Sequence, residues 1–253
     1  MKKYLLFILL SLGLVYAKSS PTNNIHIAVS ANAKYVIEEL KQAFKRANPN
    51  IKVHVTVASS GKLAAQIEKG VPYGIFMSAD MNYPKRLYNK KIAITKPAMY
   101  TQGALAFFSA KRRDFSEPEK LLTMSKIKSI AMPDPEKAPY GRVARQALQN
   151  SRIYSAIERK ILFADNVAQT VTYMLTIADV GIVPTSSLYV PEMLQYKRNK
   201  NWVPVPLSLY NPIRQGIVLL KHAGKNKSYR KFYNFILSTK ANKIFREYGY
   251  LVP

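Results

Sequence analysis

The residues best suited to chemistry in this chain are hydroxyls and small residues at the starts of helices. The clearest stretch is Ala58-Ser59-Ser60-Gly61-Lys62-Leu63-Ala64-Ala65-Gln66-Ile67-Glu68-Lys69-Gly70. Ile51 to Val57 reads as a strand leading into it. Leu63, Ile67 and the alanines then follow a 3.6-residue period until Gly70 stops the helix. A Ser-Ser-Gly turn at a helix start offers N–H groups with no partner inside the helix. It adds two hydroxyls and the positive end of the helix dipole. That set suits an oxyanion. Plain N-capping by serine uses the same residues. Two other motifs fit less well. Gly61-Lys62 lacks the upstream glycine of a phosphate-binding loop, and Leu63 stands where a magnesium-holding hydroxyl belongs. Ser59-x-x-Lys62 has the spacing of an acylating serine but lacks that chemistry's Ser-Asp-Asn and Lys-Thr-Gly partners.

Three further turns have the same character: Ser30-Ala31-Asn32, Pro139-Tyr140-Gly141 and Asn166-Val167. Each follows a strand or opens a helix, where ligands lie in open α/β sheets. None places a carboxylate among its donors; Asp134 and Asp165 read as turn or cap residues. A fully ionised tetrahedral dianion needs donors only, whereas phosphate keeps a proton and rewards an acceptor. Neutral donors and helix dipoles hold such a dianion without the desolvation cost of a buried ion pair. Lys34 and Lys62 are expected to point to solvent.

The elements that must position these turns come in two sets. Ile25–Val29, a helix to about Ala47, Ile51–Val57, the Ser-Ser-Gly helix, Gly74–Ser78 and a helix over Tyr83–Lys90 alternate as β-α-β-α-β-α. That order implies a parallel sheet covered by helices. Ala104–Ser109 starts a second set, with strands at Ser129–Met132 and Val180–Val183 and helices opening at Pro139 and at Asp165 or Asn166. Trp202–Leu207 and Arg214–Leu220 read as strands, and helices over Tyr229–Leu237 and Ala241–Tyr248 close the chain. We expect two lobes: residues 18–101 with 207–253, and an inserted 102–206.

The N-terminus reads as a secretory signal. Lys2 and Lys3 are its basic region, Tyr4 to Leu14 is an apolar run too short to span a bilayer, and Val15-Tyr16-Ala17 offers a cleavage site after Ala17. The chain has no cysteine, hence no lipid attachment site and no disulfide. Its net charge of +25 is spread along the chain without a nucleic-acid motif. We read it as a solvated surface that also draws anions. His26, His54 and His222 are far apart and form no metal-ligand pair, which argues against a metalloenzyme.

Taken together, the chain resembles the periplasmic molybdate-binding proteins of ABC transporters, from about Ile25 to the C-terminus. The likeness rests on Ala58-Ser59-Ser60-Gly61 through Gly70, then Phe76-x-Ser78-Ala79-Asp80, Asp134-Pro135-Glu136 with Pro139-x-Gly141, and Asp179-Val180-Gly181-Ile182-Val183. The ending Ala241-x-x-Ile244-Phe245-x-x-Tyr248-Gly249-Tyr250 adds to it. The resemblance implies the two-lobed α/β fold of type II periplasmic binding proteins, each lobe a mostly parallel sheet flanked by helices, with the ligand cleft between. It implies no catalysis, no cofactor, no cation ligands and a monomer that serves a membrane permease. The ligand is molybdate or tungstate, with sulfate or another tetrahedral oxyanion as the alternative. The family's contacts carry over to the side chains of Asn32 and Ser60 and to the backbone N–H groups of Tyr140 and Val167. Ala31, Gly61 and Thr185 are further candidates. Many members have a tyrosine where this chain has Pro184, which offers neither hydroxyl nor N–H. We therefore expect the Tyr140 hydroxyl to reach the anion as well.

Overall fold

The computed structural model describes residues 23–252; the stretch expected to be a secretory signal lies outside them. In chain order, strand β1 (Asn23–Ser30) leads through a 3-10 turn (Ala31–Ala33) to helix α1 (Val36–Ala47), β2 (Ile51–Ala58), α2 (Ser60–Glu68), β3 (Ile75–Met77) and α3 (Asn82–Asn89). Next come β4 (Ala98–Gly103), β5 (Leu105–Phe108), α4 (Pro118–Thr123), β6 (Ile130–Pro133), α5 (Pro139–Asn150), α6 (Tyr154–Ile157) and β7 (Ile161–Ala164). The chain ends with α7 (Val167–Thr176), β8 (Val180–Pro184), β9 (Trp202–Pro204), β10 (Ile213–Leu219), α8 (Lys227–Ile236) and α9 (Thr239–Glu247).

These strands form two five-stranded sheets, ordered β2-β1-β3-β10-β4 and β7-β6-β8-β5-β9. Each sheet is mostly parallel, as expected from the sequence, and is made mixed by one reversed strand, β10 in the first and β5 in the second. β1 pairs in parallel with β2 and β3, but β10 runs antiparallel to β3 and β4. In the second sheet β6 is parallel to β7 and β8, while β5 is antiparallel to β8 and β9. The antiparallel strands are those next to the crossings between sheets, at Ala104 and between Pro204 and Ile213. A chain entering a sheet directly from the other one has no crossover helix to return it to the same end, so it arrives reversed.

Each sheet is filled on both faces by apolar side chains, which is why the strands read as near-continuous hydrophobic runs. Ile25, Ile27 and Val29 pack with Leu40 and Phe44 of α1 and Phe232 and Ile236 of α8 on one face of the first sheet. Ala28, Phe76 and Val218 meet Leu63 and Ile67 of α2 on the other. Phe107, Ile130 and Ile182 meet Ala144 and Leu148 of α5 in the second sheet. His26 and His54 face each other across the β1–β2 pair as stacked rings with centroids 4.8 Å apart, a structural role.

Candidate functional site

Three of the four helix starts are built by different local chemistry, and each leaves a different donor free. In α2, Ser59 is the N-cap: its Oγ accepts from Lys62 N at 3.4 Å. Gly61 N donates to Lys137 O at 3.3 Å, across to the second sheet's layer. Ser60 Oγ accepts from Ala79 N at 3.0 Å and keeps its hydroxyl hydrogen to donate. In α5, Pro139 takes the first helical position, where its missing N–H costs nothing, and Tyr140 follows within the first turn. In α7, Asn166 is the cap, accepting from Gln169 N at 3.1 Å, while the Gln169 side chain accepts from Asp165 N at 2.7 Å. That reciprocal pair fixes the first turn, and Val167 N–H, by its place in that turn, has no acceptor within the helix.

The turn after β1 is held by a buried polar cluster. Ser30 Oγ donates to Asn32 Oδ1 at 2.6 Å and Asn32 Nδ2 donates to Gln215 Oε1 at 2.9 Å. Tyr250 Oη donates to Asn32 O at 2.8 Å, so the C-terminal segment clamps the turn. Asn32 is 2 % exposed and Gln215 fully buried. Burial holds the Tyr100 and Tyr140 hydroxyls well above the ordinary tyrosine value and pushes Tyr250 up to about 12.

The four turns meet at one small cavity, with about 10 Å³ open to the centre of a water molecule. Ser30, Ala31, Asn32, Ser59, Ser60 and Ala79 line it from the first sheet's side; Ala138, Pro139, Tyr140 and Val167 line it from the second. None of these lining residues carries a charge, and Lys34 and Lys62 are exposed. The residues named from the sequence as Asn32, Ser60, Tyr140, Val167 and Ala31 are thus brought together. Gly61 and Thr185 are not among the lining residues. Gly61 has spent its N–H on Lys137. Thr185 sits in the turn Thr185–Leu188, which packs on Ala31–Ala33. Its Oγ1 and Ser187 Oγ are buried without a partner among the described residues.

The Tyr140 hydroxyl has a different place from the one expected. Its oxygen accepts from Gln215 Nε2 at 3.0 Å and lies against Gly103, and neither Gln215 nor Gly103 lines the cavity. Sequence reasoning missed Gln215 and Tyr100, which no local motif marks, and quoted Tyr250 only as part of the C-terminal likeness, not for its bond to Asn32 O. Asp80 braces its loop, accepting from Asn82 N and Tyr83 N, and also pairs with Arg142 of α5, which lies over the Tyr83 ring.

Two helix-flanked sheets that meet at an uncharged cavity lined by helix starts are the architecture of a protein that holds a solute between lobes. The chain belongs to the bacterial extracellular solute-binding proteins, whose family model matches residues 25–251. It is 26% identical to the molybdate-binding protein ModA of Rhodobacter capsulatus over 96% of this chain and 94% of that one. It resembles the structure of the Azotobacter vinelandii periplasmic molybdate-binding protein with a TM-score of 0.82 at 26% identity, over 90% of this chain and 99% of that one. The sulfate-binding protein SubI of Mycobacterium tuberculosis shares the fold, with a TM-score of 0.73 at 12% identity over 90% of this chain and 86% of that one.

Proposed function

We propose that this protein captures molybdate, and tungstate with it, in the cavity between its two sheets and delivers it to the membrane permease of an ABC transporter. Asn32 and Ser60 donate from one side, and the N–H groups of Tyr140 and Val167 from the other. The carrying observation is the cavity's lining: helix starts from both sheets converge on it, no side chain there is charged, and the oxygens of Ser60 and Asn32 already accept hydrogen bonds. The Ser60 hydroxyl hydrogen and the Asn32 Nδ2 hydrogen not given to Gln215 remain to donate, the complement of a dianion with no proton to give. Tungstate has the same charge and nearly the same size, so the same donors serve both. The names of the relatives support molybdate over other oxyanions. The lobes, 18–101 with 207–253 and 102–206, close on the anion, and export through the N-terminal signal with cleavage after Ala17 brings the protein to it.

Calorimetry on the exported protein tests this, with its N-terminus sequenced first and expected at Lys18. The expected result is one molybdate or tungstate per chain, with sulfate much weaker and phosphate silent. Ligand that binds only the folded state stabilises it by about 2.7 kcal/mol at a hundredfold excess over Kd, so the melting temperature rises as well. Heat with sulfate and none with either metal oxyanion would move the assignment to a sulfate carrier.

A further inference from the structure

Gln215 joins the two sides of the cavity without touching its contents. We infer that Gln215 is the positioning residue that couples the anion contact at Asn32 to closure of the opposite lobe through Tyr140. Its amide oxygen accepts from Asn32 Nδ2 at 2.9 Å and from Tyr100 Oη at 2.8 Å, and its amide nitrogen donates to Tyr140 Oη at 3.0 Å. Asn32 and Tyr100 belong to the first sheet and its turn, whereas Tyr140 opens α5 on the second. All four side chains are at least nine-tenths buried, so water cannot replace these bonds.

The backbone around Gln215 is shaped for this contact. The β10–β4 register shifts between Gln215 and Gly216, and a bulge of this kind re-aims a side chain out of the regular alternation. Gly103, on the partner strand, leaves the space in which the hydroxyl sits: a Cβ there would lie 1.8 Å from Tyr140 Oη. In this structure each of the three partners of Gln215 is satisfied. Opening the lobes takes Tyr140 away and strands a buried amide group, which costs free energy. An anion that pulls on Asn32 and on the first turn of α5 holds the two ends of the same chain of bonds. Gln215 therefore stabilises closure in the empty protein and slows release from the loaded one.

The test uses Gln215→Met, which keeps the volume, Tyr140→Phe, which removes only the hydroxyl, and the double variant. The chain has no cysteine, so cysteines placed at the exposed Lys69 and Gln149 carry one spin label on each lobe. In the empty protein both single variants are expected to shift the label–label distance toward longer values than in the parent. With molybdate as probe, each is expected to lose about tenfold in affinity, mostly through faster release, in keeping with the loss of one buried hydrogen bond. The double variant should lose no more than Gln215→Met alone, because the two substitutions break one shared link. Parent-like distances in both empty single variants, or affinity losses that add in the double variant, would overturn the inference. Only the affinity arm rests on the reading of the cavity as a molybdate site. A parent that binds no molybdate removes that reading and leaves the distance measurement to decide on Gln215.

Discussion

At the scale of single residues, two side chains are expected to carry the direct contact to the anion. A hydrogen bond to a charged group contributes roughly 1.5–3 kcal/mol, so Ser60→Ala and Asn32→Ala should each weaken molybdate binding about tenfold to a hundredfold in calorimetry. The structure separates the two in stability. Ser60→Ala also strips Ala79 N–H, a buried donor, of its acceptor, so its melting temperature should fall measurably even without ligand. Asn32→Ala removes a partner from Ser30 and Gln215, but Gln215 Oε1 keeps the Tyr100 hydroxyl. Parent-like affinity in both variants would show that these positions do not face the anion.

At the scale of elements, the start of α2 does two jobs, and Gly61 is the residue that permits both. A Cβ at Gly61 would stand 2.7 Å from Tyr83 Oη and 2.9 Å from Lys137 O. The tyrosine can swing aside, but Lys137 O is backbone on the other lobe and is the acceptor of the Gly61 N–H. Gly61→Ala is therefore expected to push the lobes apart at the mouth of the cleft while leaving α2 itself slightly better formed, since alanine favours the helix. Small-angle scattering with saturating molybdate should show a larger radius of gyration than the parent, together with weaker binding. An unchanged radius and unchanged affinity would mean that the loop carrying Lys137 yields.

At the scale of the whole molecule, Tyr100, Tyr140 and Tyr250 sit in the layer that joins the lobes, and their hydroxyls titrate above the ordinary value of 10.0 because burial disfavours the phenolate. The unfolded chain thus ionises first. The stability these groups lend is intact below pH 10 and is lost as pH rises from there through about 12, the value reached by Tyr250. Thermal melts across that window should fall more steeply for the parent than for Tyr250→Phe, which has one fewer buried hydroxyl to ionise. Equal slopes would place the alkaline loss elsewhere. The +25 net charge enters at this scale too, as repulsion that weakens at high pH when lysines lose their protons, an opposing trend common to both proteins.

The sequence by itself determined the helix starts, the alternation of strands and helices, and the residue types around the cavity. Caps, turn glycines and Pro139 act on backbone a few residues away, so Ser59, Asn166 and Gly70 could be read without any fold. It also carried the family likeness that put Asn32, Ser60, Tyr140 and Val167 in one group. Only the tertiary structure decided what those residues face. Gln215 lies 183 residues from Asn32 in the chain and reaches it through a bulge between two antiparallel strands, and no local period encodes such a meeting. The direction of β10 and β5 was hidden for the same reason: strand pairing is set by which chain segment comes back from the other sheet. The Tyr140 hydroxyl shows the difference most directly. Its place at the helix start was local, whereas its partner was fixed by the space left at Gly103 and by the amide across from it.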